Sequence, residues 1–198
     1  IINNKFNIQN KFKRSVIAIG NFDGIHRGHQ KVLKEASMKA KHKKINFGVL
    51  SFEPIPVMFF NKKLKYHRLH SIKQKKKYLN QKADFVIIKK FDKTFSNLSY
   101  KNFIKKIIFQ KLNAKYIFVS KNFKYGKNRL GNVNLLKSYE KKYNFKTIIT
   151  KPFKRNEKIV SSTIIRSLIS KGQISKANYL LGRSWSIEGK VMPGNKRG

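Results

Sequence analysis

Two histidines, an aspartate and three glycines stand within ten residues near the start of the chain, in SVIAIGNFDGIHRGHQKVL (15–33). His26 and His29 are three residues apart, a spacing that lets both side chains face one bound group at the entrance of a helix. Gly28 between them leaves room for a ligand to approach the backbone. This arrangement suits an anion such as phosphate. The alternative is a metal site, for which Asp23 is the only further ligand nearby.

The elements around this stretch favour phosphate. The apolar run VIAIG predicts a buried strand, and HQKVLKEA predicts an amphipathic helix. A glycine-bearing loop (20–24) then joins them at the carboxyl edge of a sheet, where α/β proteins bind ligands. The helix N-terminus offers unpaired N–H groups and the positive end of its dipole, and both attract phosphate.

Strands and helices alternate along most of the chain. Apolar, β-rich runs are found at 15–20, 45–52, 84–91, 115–123 and 145–153, and helical segments at 29–44, 71–82, 99–113 and 132–144. In the third segment one helical face is marked by Phe103, Ile104, Ile107, Ile108 and Leu112. The alternation predicts an α/β fold of about five parallel strands with helices on both faces.

Two short helices are predicted after the fifth strand, at 161–172 and 174–182. Gly172 and Gly182 stand where C-terminal glycines of helices belong. From Ser184 the composition changes, and the segment is typical of the opening strand of a β-rich unit.

Composition limits the class of protein. With 198 residues, 40% of them hydrophobic, the chain can bury one sizeable core. No apolar run is long enough to span a membrane, and the absence of cysteine fits a reducing cytoplasm. The net charge of +39 suggests a nucleic-acid partner, but only 8 of the 47 basic residues are arginine and the lysines are dispersed. We therefore predict a solvated lysine surface and no nucleic-acid partner.

The segment VSSTIIR (160–166) contains a second group of anion ligands. Ser161, Ser162 and Thr163 are good N-cap residues for the helix that follows. Arg166 is harder to explain, because the helix dipole disfavours a cation in the first turn by up to about 1 kcal/mol. An anion held by the hydroxyls and the guanidinium would reverse that penalty. The prediction is that Arg166 has a ligand rather than a structural partner.

Two further loops follow strands at the same predicted edge. In KNFKYGKNRLG (121–131), Phe123 and Tyr125 belong either to the core or to an exposed pair that stacks on a flat ring. The glycines and Asn122 of this loop favour ligand binding. SFEPIP (51–56) is by itself a turn stiffened by proline.

The motifs together resemble those of a known family. The string GNFDGIHRGHQ (20–30) contains the H-x-G-H signature of nucleotidylyltransferases and is similar to the adenylyltransferase module of bacterial FAD synthetases, the bifunctional riboflavin kinase/FMN adenylyltransferases. SFEPIP resembles that family's T-F-E-P-H-P segment, and FVSKNFKYGKNRLGNVNLL (118–136) resembles V-G-x-D-F-x-F-G-x-x-x-x-G-D-x-x-x-L. VSSTIIRSLISKG (160–172) and LLGRSWSIEGKV (180–191) resemble the family's S-S-T-x-I-R helix and its junction into the kinase domain.

The resemblance implies a Rossmann-like nucleotidylyltransferase fold over residues 1–183, with residues 184–198 as the truncated start of a riboflavin kinase β-barrel. The implied enzyme is a cytoplasmic nucleotidyltransferase that transfers AMP from ATP to FMN, giving FAD and pyrophosphate. The full-length parent is expected also to phosphorylate riboflavin. ATP and FMN are the implied partners, without a membrane, and the oligomeric state stays open.

The resemblance also assigns roles to residues. It implies catalytic roles for His26, His29 and Arg166. The implied ATP-binding residues are Gly20, Asn21, Phe22, Asp23, Gly24, Gly28, Ser161, Ser162 and Thr163. The implied flavin-binding residues are Phe52, Glu53, Pro54, Phe123 and Tyr125, and Asn122 is the implied contact of the Mg²⁺ that accompanies ATP.

The chain departs from the family pattern at four positions. Ile55 replaces a histidine, Asn122 and Asn132 replace aspartates, and Trp185 replaces a tyrosine. Isoleucine neither donates a hydrogen bond nor transfers a proton, so Ile55 cannot do what the histidine does. Two rival functions are another transferase of the same superfamily and a basic nucleic-acid-binding domain.

Overall fold

Five parallel strands form the centre of the molecule. The computed structural model describes residues 6, 8–64, 67–155, 157–189 and 191. The strands are β1 (Val16–Ile19), β2 (Phe47–Glu53), β3 (Phe85–Lys90), β4 (Tyr116–Ser120) and β5 (Lys146–Thr150). They are paired in parallel in the order β3-β2-β1-β4-β5. All five predicted strands are thereby confirmed.

The helices connect the strands in the predicted places. They are α1 (Arg27–Lys43), α2 (Pro56–Phe60), α3 (Ile72–Asn80), α4 (Lys93–Ser96), α5 (Tyr100–Asn102), α6 (Val133–Ser138), α7 (Glu140–Tyr143), α8 (Ser162–Ser170) and α9 (Ile174–Leu181). After α5 the chain continues as a π-helix, Phe103–Lys111. A two-stranded antiparallel hairpin, β6 (Lys154–Arg155) and β7 (Lys158–Ile159), precedes α8.

Both faces of the sheet are covered, because the side chains of β1 alternate between two cores. Val16 and Ala18 pack with α1 and with Leu79 of α3 on one face. Ile17 and Ile19 pack with the π-helix and α6 on the other. All four residues of β1 are buried, as its unbroken apolar run predicts.

The strand order places the loops after β1 and β4 side by side. The chain leaves β1 towards one face and β4 towards the other, which opens a crevice at their carboxyl ends. A third apolar cluster closes one side of this edge. It joins Leu69 to Val160, Ile165 of α8, and Ala177 and Leu181 of α9.

The segment after α9 has no regular secondary structure where it is described. Gly172 and Gly182 follow α8 and α9 in left-handed conformations, as predicted, with φ of 68° and 71°. The strand expected from Ser184 is absent over residues 184–189 and at 191, while residues 190 and 192–198 lie outside the described residues. In the described part of the chain, no helix combines the length and apolarity that crossing a membrane requires.

Candidate active site

The loop after β1 is a tight turn with little free space. Phe22 has a left-handed backbone (φ 48°) and is almost fully buried, and the residues Asp23–Ile25 form one turn of 3₁₀ helix. Gly24 has φ 75°, and a Cβ placed there would lie 2.6 Å from Cδ1 of Leu69. Glycine is therefore required at position 24 both by its backbone conformation and by its packing.

His26 and His29 form a stacked pair at the start of α1. His26 is the N-cap, and its Nδ1 accepts the backbone N–H of His29 at 3.4 Å. The two ring centroids are 3.7 Å apart and the rings are inclined by 20°. A Cβ at Gly28 would lie 3.1 Å from the ring of His26, so a larger residue there would crowd the pair. The two side chains therefore lie together at the helix entrance, as their spacing predicts, and a shared bound anion stays a prediction.

Both histidines are neutral in the free protein at neutral pH. Burial, helped by the charge of Arg183, lowers the pKa of His26 to about 4. Burial lowers the pKa of His29 well below its ordinary value, and His26, Lys75 and His70 add to that shift. The Nδ1 atom of His29 is buried without a hydrogen-bond partner among the described residues. A buried ring nitrogen in this state is suited to bond a ligand.

Arg166 and Asp23 join the two predicted halves of the site. The Nη1 atom of Arg166 lies 2.7 Å from Oδ2 of Asp23, whose carboxylate is nearly inaccessible to solvent. The hydroxyl of Ser162 donates to the backbone oxygen of Asp23 at 2.9 Å. Arg166 also donates to Oγ1 of Thr163 at 3.3 Å.

These contacts correct the account of Arg166. The prediction that Arg166 has no structural partner is wrong, because Asp23, 143 residues earlier in the sequence, is that partner. Arg166 is also the fifth residue of α8 and lies past its first turn. Ser161 is the N-cap of α8, as predicted, and accepts the N–H of Ile164 at 3.4 Å.

A second charged group lies where β2 ends. Glu53 pairs with Nε of Arg68 at 2.9 Å and with Nζ of Lys75 at 3.8 Å. Lys75 is almost fully buried and donates to the backbone oxygen of Phe52 at 3.0 Å. Burial raises the pKa of Glu53 and lowers the pKa of Lys75 to about 8. Glu53, Arg68 and Lys75 thus form one charged cluster where β2 ends, and the charge of Lys75 helps to lower the pKa of His29.

Sequence reasoning missed Arg68, His70, Lys75 and Arg183. Three of them lie in HRLHSIKQK (67–75), which contains two of the five histidines of the chain. That concentration was a usable signal, since histidine is scarce elsewhere. Lys75 offered none, because it stands in a run of lysines that resembles a solvated helix face.

The aromatic residues assigned to flavin are more buried than expected. Tyr125 is 6% exposed and packs on Phe103 in the main core, so of the two alternatives left by the sequence the core placement holds for this residue. Phe52 is also a core residue. Phe123 is half-buried and stacks on Tyr125, with ring centroids 5.4 Å apart. Phe60, the last residue of α2 and four residues after the SFEPIP segment, is 69% exposed.

Two of the positions that depart from the family pattern, Ile55 and Asn132, lie at N-caps of helices. Asn132 is the N-cap of α6 and accepts the N–H of Leu135 at 3.0 Å, which an aspartate would also do. Ile55 is buried at the N-cap of α2. Asn122 is exposed in the loop after β4. The described residues contain no group of three or more histidine, aspartate or glutamate side chains placed to hold a metal.

Comparison with known proteins places the chain in a family. The family model for FAD synthetase matches residues 8–164. A bifunctional riboflavin kinase/FMN adenylyltransferase of Buchnera aphidicola subsp. Schizaphis graminum is 41% identical over 97% of this chain and 62% of its own length. The proteins of the same description from Haemophilus influenzae and Escherichia coli K12 are 36% and 32% identical, each over 92% of this chain and 59% of its own length. The chain thus spans about three fifths of the curated relatives it matches.

Solved structures show the same architecture. A structure described as a macrolide-efflux protein from Streptococcus pneumoniae has a TM-score of 0.85 and 25% identity, over 100% of this chain and 64% of that one. A pantoate-beta-alanine ligase from Francisella tularensis, complexed with beta-gamma ATP and beta-alanine, has a TM-score of 0.53 at 14% identity. It covers 91% of this chain and 85% of its own, and shows that the fold is shared.

Proposed function

Because this chain belongs to the FAD synthetase family, we propose that it transfers AMP from ATP to FMN, giving FAD and pyrophosphate. The observation that carries the proposal is the meeting of the histidine pair with the Ser162–Arg166 helix through Asp23. Two segments that each suit phosphate, from opposite ends of the sequence, are thereby brought to one side of the sheet edge.

The ATP phosphates would lie between α1 and α8. The N-terminus of α1 would supply N–H groups and its dipole, and the loop at Gly20 and Asn21 would let the phosphates approach the backbone. Gly24 would shape that loop, since its N–H and its oxygen are bonded to His70 and Arg183. The side chains of Phe22 and Asp23 are buried and anchor that loop to the protein interior. Ser161, Ser162, Thr163 and Arg166 would face the β and γ phosphates.

The reaction needs positioning and charge stabilisation rather than a covalent enzyme intermediate. A phosphate oxygen of FMN attacks the α-phosphorus of ATP, and the bond from that phosphorus to the bridging oxygen of the β-phosphate breaks. Pyrophosphate leaves with the electron pair. His26 and His29 would donate hydrogen bonds to the charge that develops on the transferred phosphoryl group, and Arg166 would hold the pyrophosphate.

Mg²⁺ would enter with ATP. The donors at this edge suit that arrangement, because Mg²⁺ is usually held by substrate phosphates, water and one or two protein oxygens. Asn122 is the side chain that we assign as its contact. When bound, the ion would neutralise charge on the phosphates.

The flavin would lie along a row of aromatic rings that links the loops after β2, β3 and β4. Neighbouring ring centroids in this row are 5.0–6.2 Å apart, in the order Phe60, Phe91, Phe95, Phe103, Tyr125 and Phe123. Phe60 is exposed and Phe123 is half-buried, so these two rings would contact the flavin, while Phe52 and Tyr125 are buried in the core. Glu53 and Pro54 would border the flavin where β2 ends.

We place the domain boundary at residue 183, with residues 184–198 as the start of a kinase domain. The support is that α9 ends at Leu181 and that residues 184–189 have no regular structure. Riboflavin phosphorylation would then belong to the longer parent. A cytoplasmic location and independence from nucleic acid stay predictions.

The direct test is to incubate the protein with ATP, Mg²⁺ and FMN and to separate the flavins by chromatography. FAD and pyrophosphate should appear in equal amounts. Strong, salt-dependent binding of DNA without FAD formation would instead support the nucleic-acid rival. Transfer of AMP to another phosphate, with FMN unused, would support a different transferase of the superfamily.

Replacing His29 by alanine tests the phosphate role. We expect His29→Ala to lower kcat by about 100-fold or more, the cost of losing one transition-state donor, with a smaller effect on ATP binding. His42→Ala is the matched control, because His42 is exposed near the C-terminal end of the same helix. Turnover within a few-fold of wild type in a folded His29→Ala protein would make the histidine structural.

A further inference from the structure

Residues 183–186 are bonded to the active-site loops although they form no regular element. Arg183 donates through Nη2 to the backbone oxygen of Gly24 at 2.7 Å and through Nη1 to that of Ile25 at 3.4 Å. The indole N–H of Trp185 donates to the backbone oxygen of Leu69 at 2.9 Å. Ser186 accepts the side-chain amide of Gln74 on both its backbone and hydroxyl oxygens, at 3.1 Å.

The points of attachment lie on both sides of Asp23. The N–H of Leu69 donates to Oδ1 of Asp23 at 2.9 Å, while Oδ2 of the same carboxylate holds Arg166. Gly24 follows Asp23 directly in the chain, and its N–H donates to Nε2 of His70 at 3.0 Å. Trp185, Leu69, Asp23 and Arg166 are therefore joined in one row of hydrogen-bonding residues.

Arg183 is itself held in a fixed orientation. Its guanidinium lies over the ring of Tyr78, with 4.3 Å from Cζ to the ring centroid, while its nitrogens bond the carbonyl oxygens of the turn. A planar group that stacks and donates at the same time is a property of arginine that lysine lacks. The turn before His26 is thus fastened to the end of the domain's last helix.

We propose that residues 183–186 form a clasp that positions Asp23, Arg166 and His26 for adenylyl transfer. The clasp would also link the site mechanically to whatever follows residue 186 in the longer protein. The kinetic part of this inference rests on the proposed function, whereas the linkage to ATP binding does not. The competing account is that Trp185 only covers the apolar cluster around Leu69 and Val160.

The emission of Trp185 reports the clasp without any turnover, because it is the only tryptophan of the chain. In Arg183→Gln we expect emission at longer wavelength and stronger quenching by acrylamide than in wild type. Saturating ATP with Mg²⁺, in the absence of FMN, should reverse both changes, because coupling between two sites is reciprocal. Unchanged emission in the variant, or no response to ATP, would overturn the proposal.

Kinetics test the positioning role. We expect Trp185→Phe, which keeps the apolar ring but removes the N–H, to lower kcat by about 5- to 10-fold, the equivalent of one hydrogen bond. The KM for FMN should stay unchanged. Arg183→Gln should lower kcat further than Trp185→Phe does. Arg183→Lys should recover part of the kcat that Arg183→Gln loses. Arg14→Gln is the control, since Arg14 is exposed just before β1, at the opposite edge of the sheet.

The outcomes separate the clasp from the proposed function. If wild type forms no FAD but ATP restores the emission of Arg183→Gln, adenylyl transfer fails and the clasp stands as an ATP-linked element. If wild type forms FAD and both Trp185→Phe and Arg183→Gln turn over at its rate, the clasp fails and the function stands.

Discussion

His26 is a buried neutral base in the site, and its burial should make the folded protein less stable at acidic pH. Its pKa is about 4 in the folded protein and 6.5 in the unfolded chain. Between these values the unfolded chain binds more protons, so the free energy of unfolding should fall as the pH decreases, by up to about 1.4 kcal/mol per pH unit for this histidine. The stability is present above pH 6.5 and is lost as the pH approaches 4.

Urea unfolding of the ligand-free protein across this interval measures the effect. His26→Asn is the matched control, because asparagine is also a good N-cap but does not titrate. Its stability should depend less steeply on pH than that of wild type. Equal slopes for the two proteins would show that His26 does not titrate differently on folding.

The ion pair between Arg166 and Asp23 makes Arg166 structural as well as functional. We expect Arg166→Ala to lower the free energy of unfolding of the ATP-free protein by about 2 kcal/mol, since it leaves a buried carboxylate unpaired. It should also raise the KM for ATP and slow turnover. Arg166→Lys should restore only part of each property, because an ammonium lacks the fixed, forked pair of nitrogens with which Arg166 reaches Asp23 and Thr163.

A double-mutant cycle of Arg166→Ala and Asp23→Asn measures how much the contact between these two residues itself contributes to the free energy of unfolding. If the two single changes add without coupling, the contact contributes nothing to stability. Unchanged stability in Arg166→Ala, with ATP kinetics impaired, would return Arg166 to the role of a ligand-only residue.

The histidine pair could be predicted from sequence because both residues are on one helix start, where spacing alone fixes their direction. The Arg166–Asp23 pair could not, because its partners are 143 residues apart. Lys75 was hidden for another reason. Lys75 is buried because α3 packs with this lysine against the end of β2, and local composition does not reveal which lysine of a run makes such a contact.

At the scale of elements, the five strands were predictable because a parallel sheet buries both faces and leaves continuous apolar runs. The third helical segment was predicted with the correct apolar stripe, and all five of its marked residues are buried. Its hydrogen-bond register was not predictable. The stripe fits both an α-helix and the observed π-helix, because the same residues face the core in each.

The turn from β1 into α1 depends on Gly24. We expect Gly24→Ala to destabilise the protein by about 3 kcal/mol and to abolish most activity, since alanine adds both a positive-φ strain and a clash with Leu69. Gly172→Ala is the matched control. It has φ 68° but nothing within 4 Å of the new Cβ, so it should cost only about 1 kcal/mol.

Denaturant unfolding measures the free energy of unfolding that each variant loses. The difference between the two losses is the cost of the clash with Leu69 alone. Equal losses of stability in Gly24→Ala and Gly172→Ala would show that the Leu69 side chain moves aside for the new Cβ without a free-energy cost. In that case the packing of residue 69 against the turn would not fix the site.

For the whole molecule, we expect no conversion of riboflavin to FMN by this chain when ATP and Mg²⁺ are supplied. The reason is that this chain spans about three fifths of the length of the relatives described as bifunctional, and we place the kinase domain after residue 183. Chromatography of the flavins checks this, with FAD formation from FMN in the same preparation as the control. Formation of FMN from riboflavin would move the proposed boundary at residue 183.

The separation of 143 residues between Asp23 and Arg166 also determines how long after the aspartate the arginine is synthesised. At ordinary rates of translation, roughly 7 to 30 seconds pass between the emergence of the aspartate and that of the arginine. Through this interval a nascent chain has its histidine pair but a carboxylate without its cation. The ATP site is therefore completed late, and a chain truncated before α8 would lack the guanidinium that pairs with Asp23.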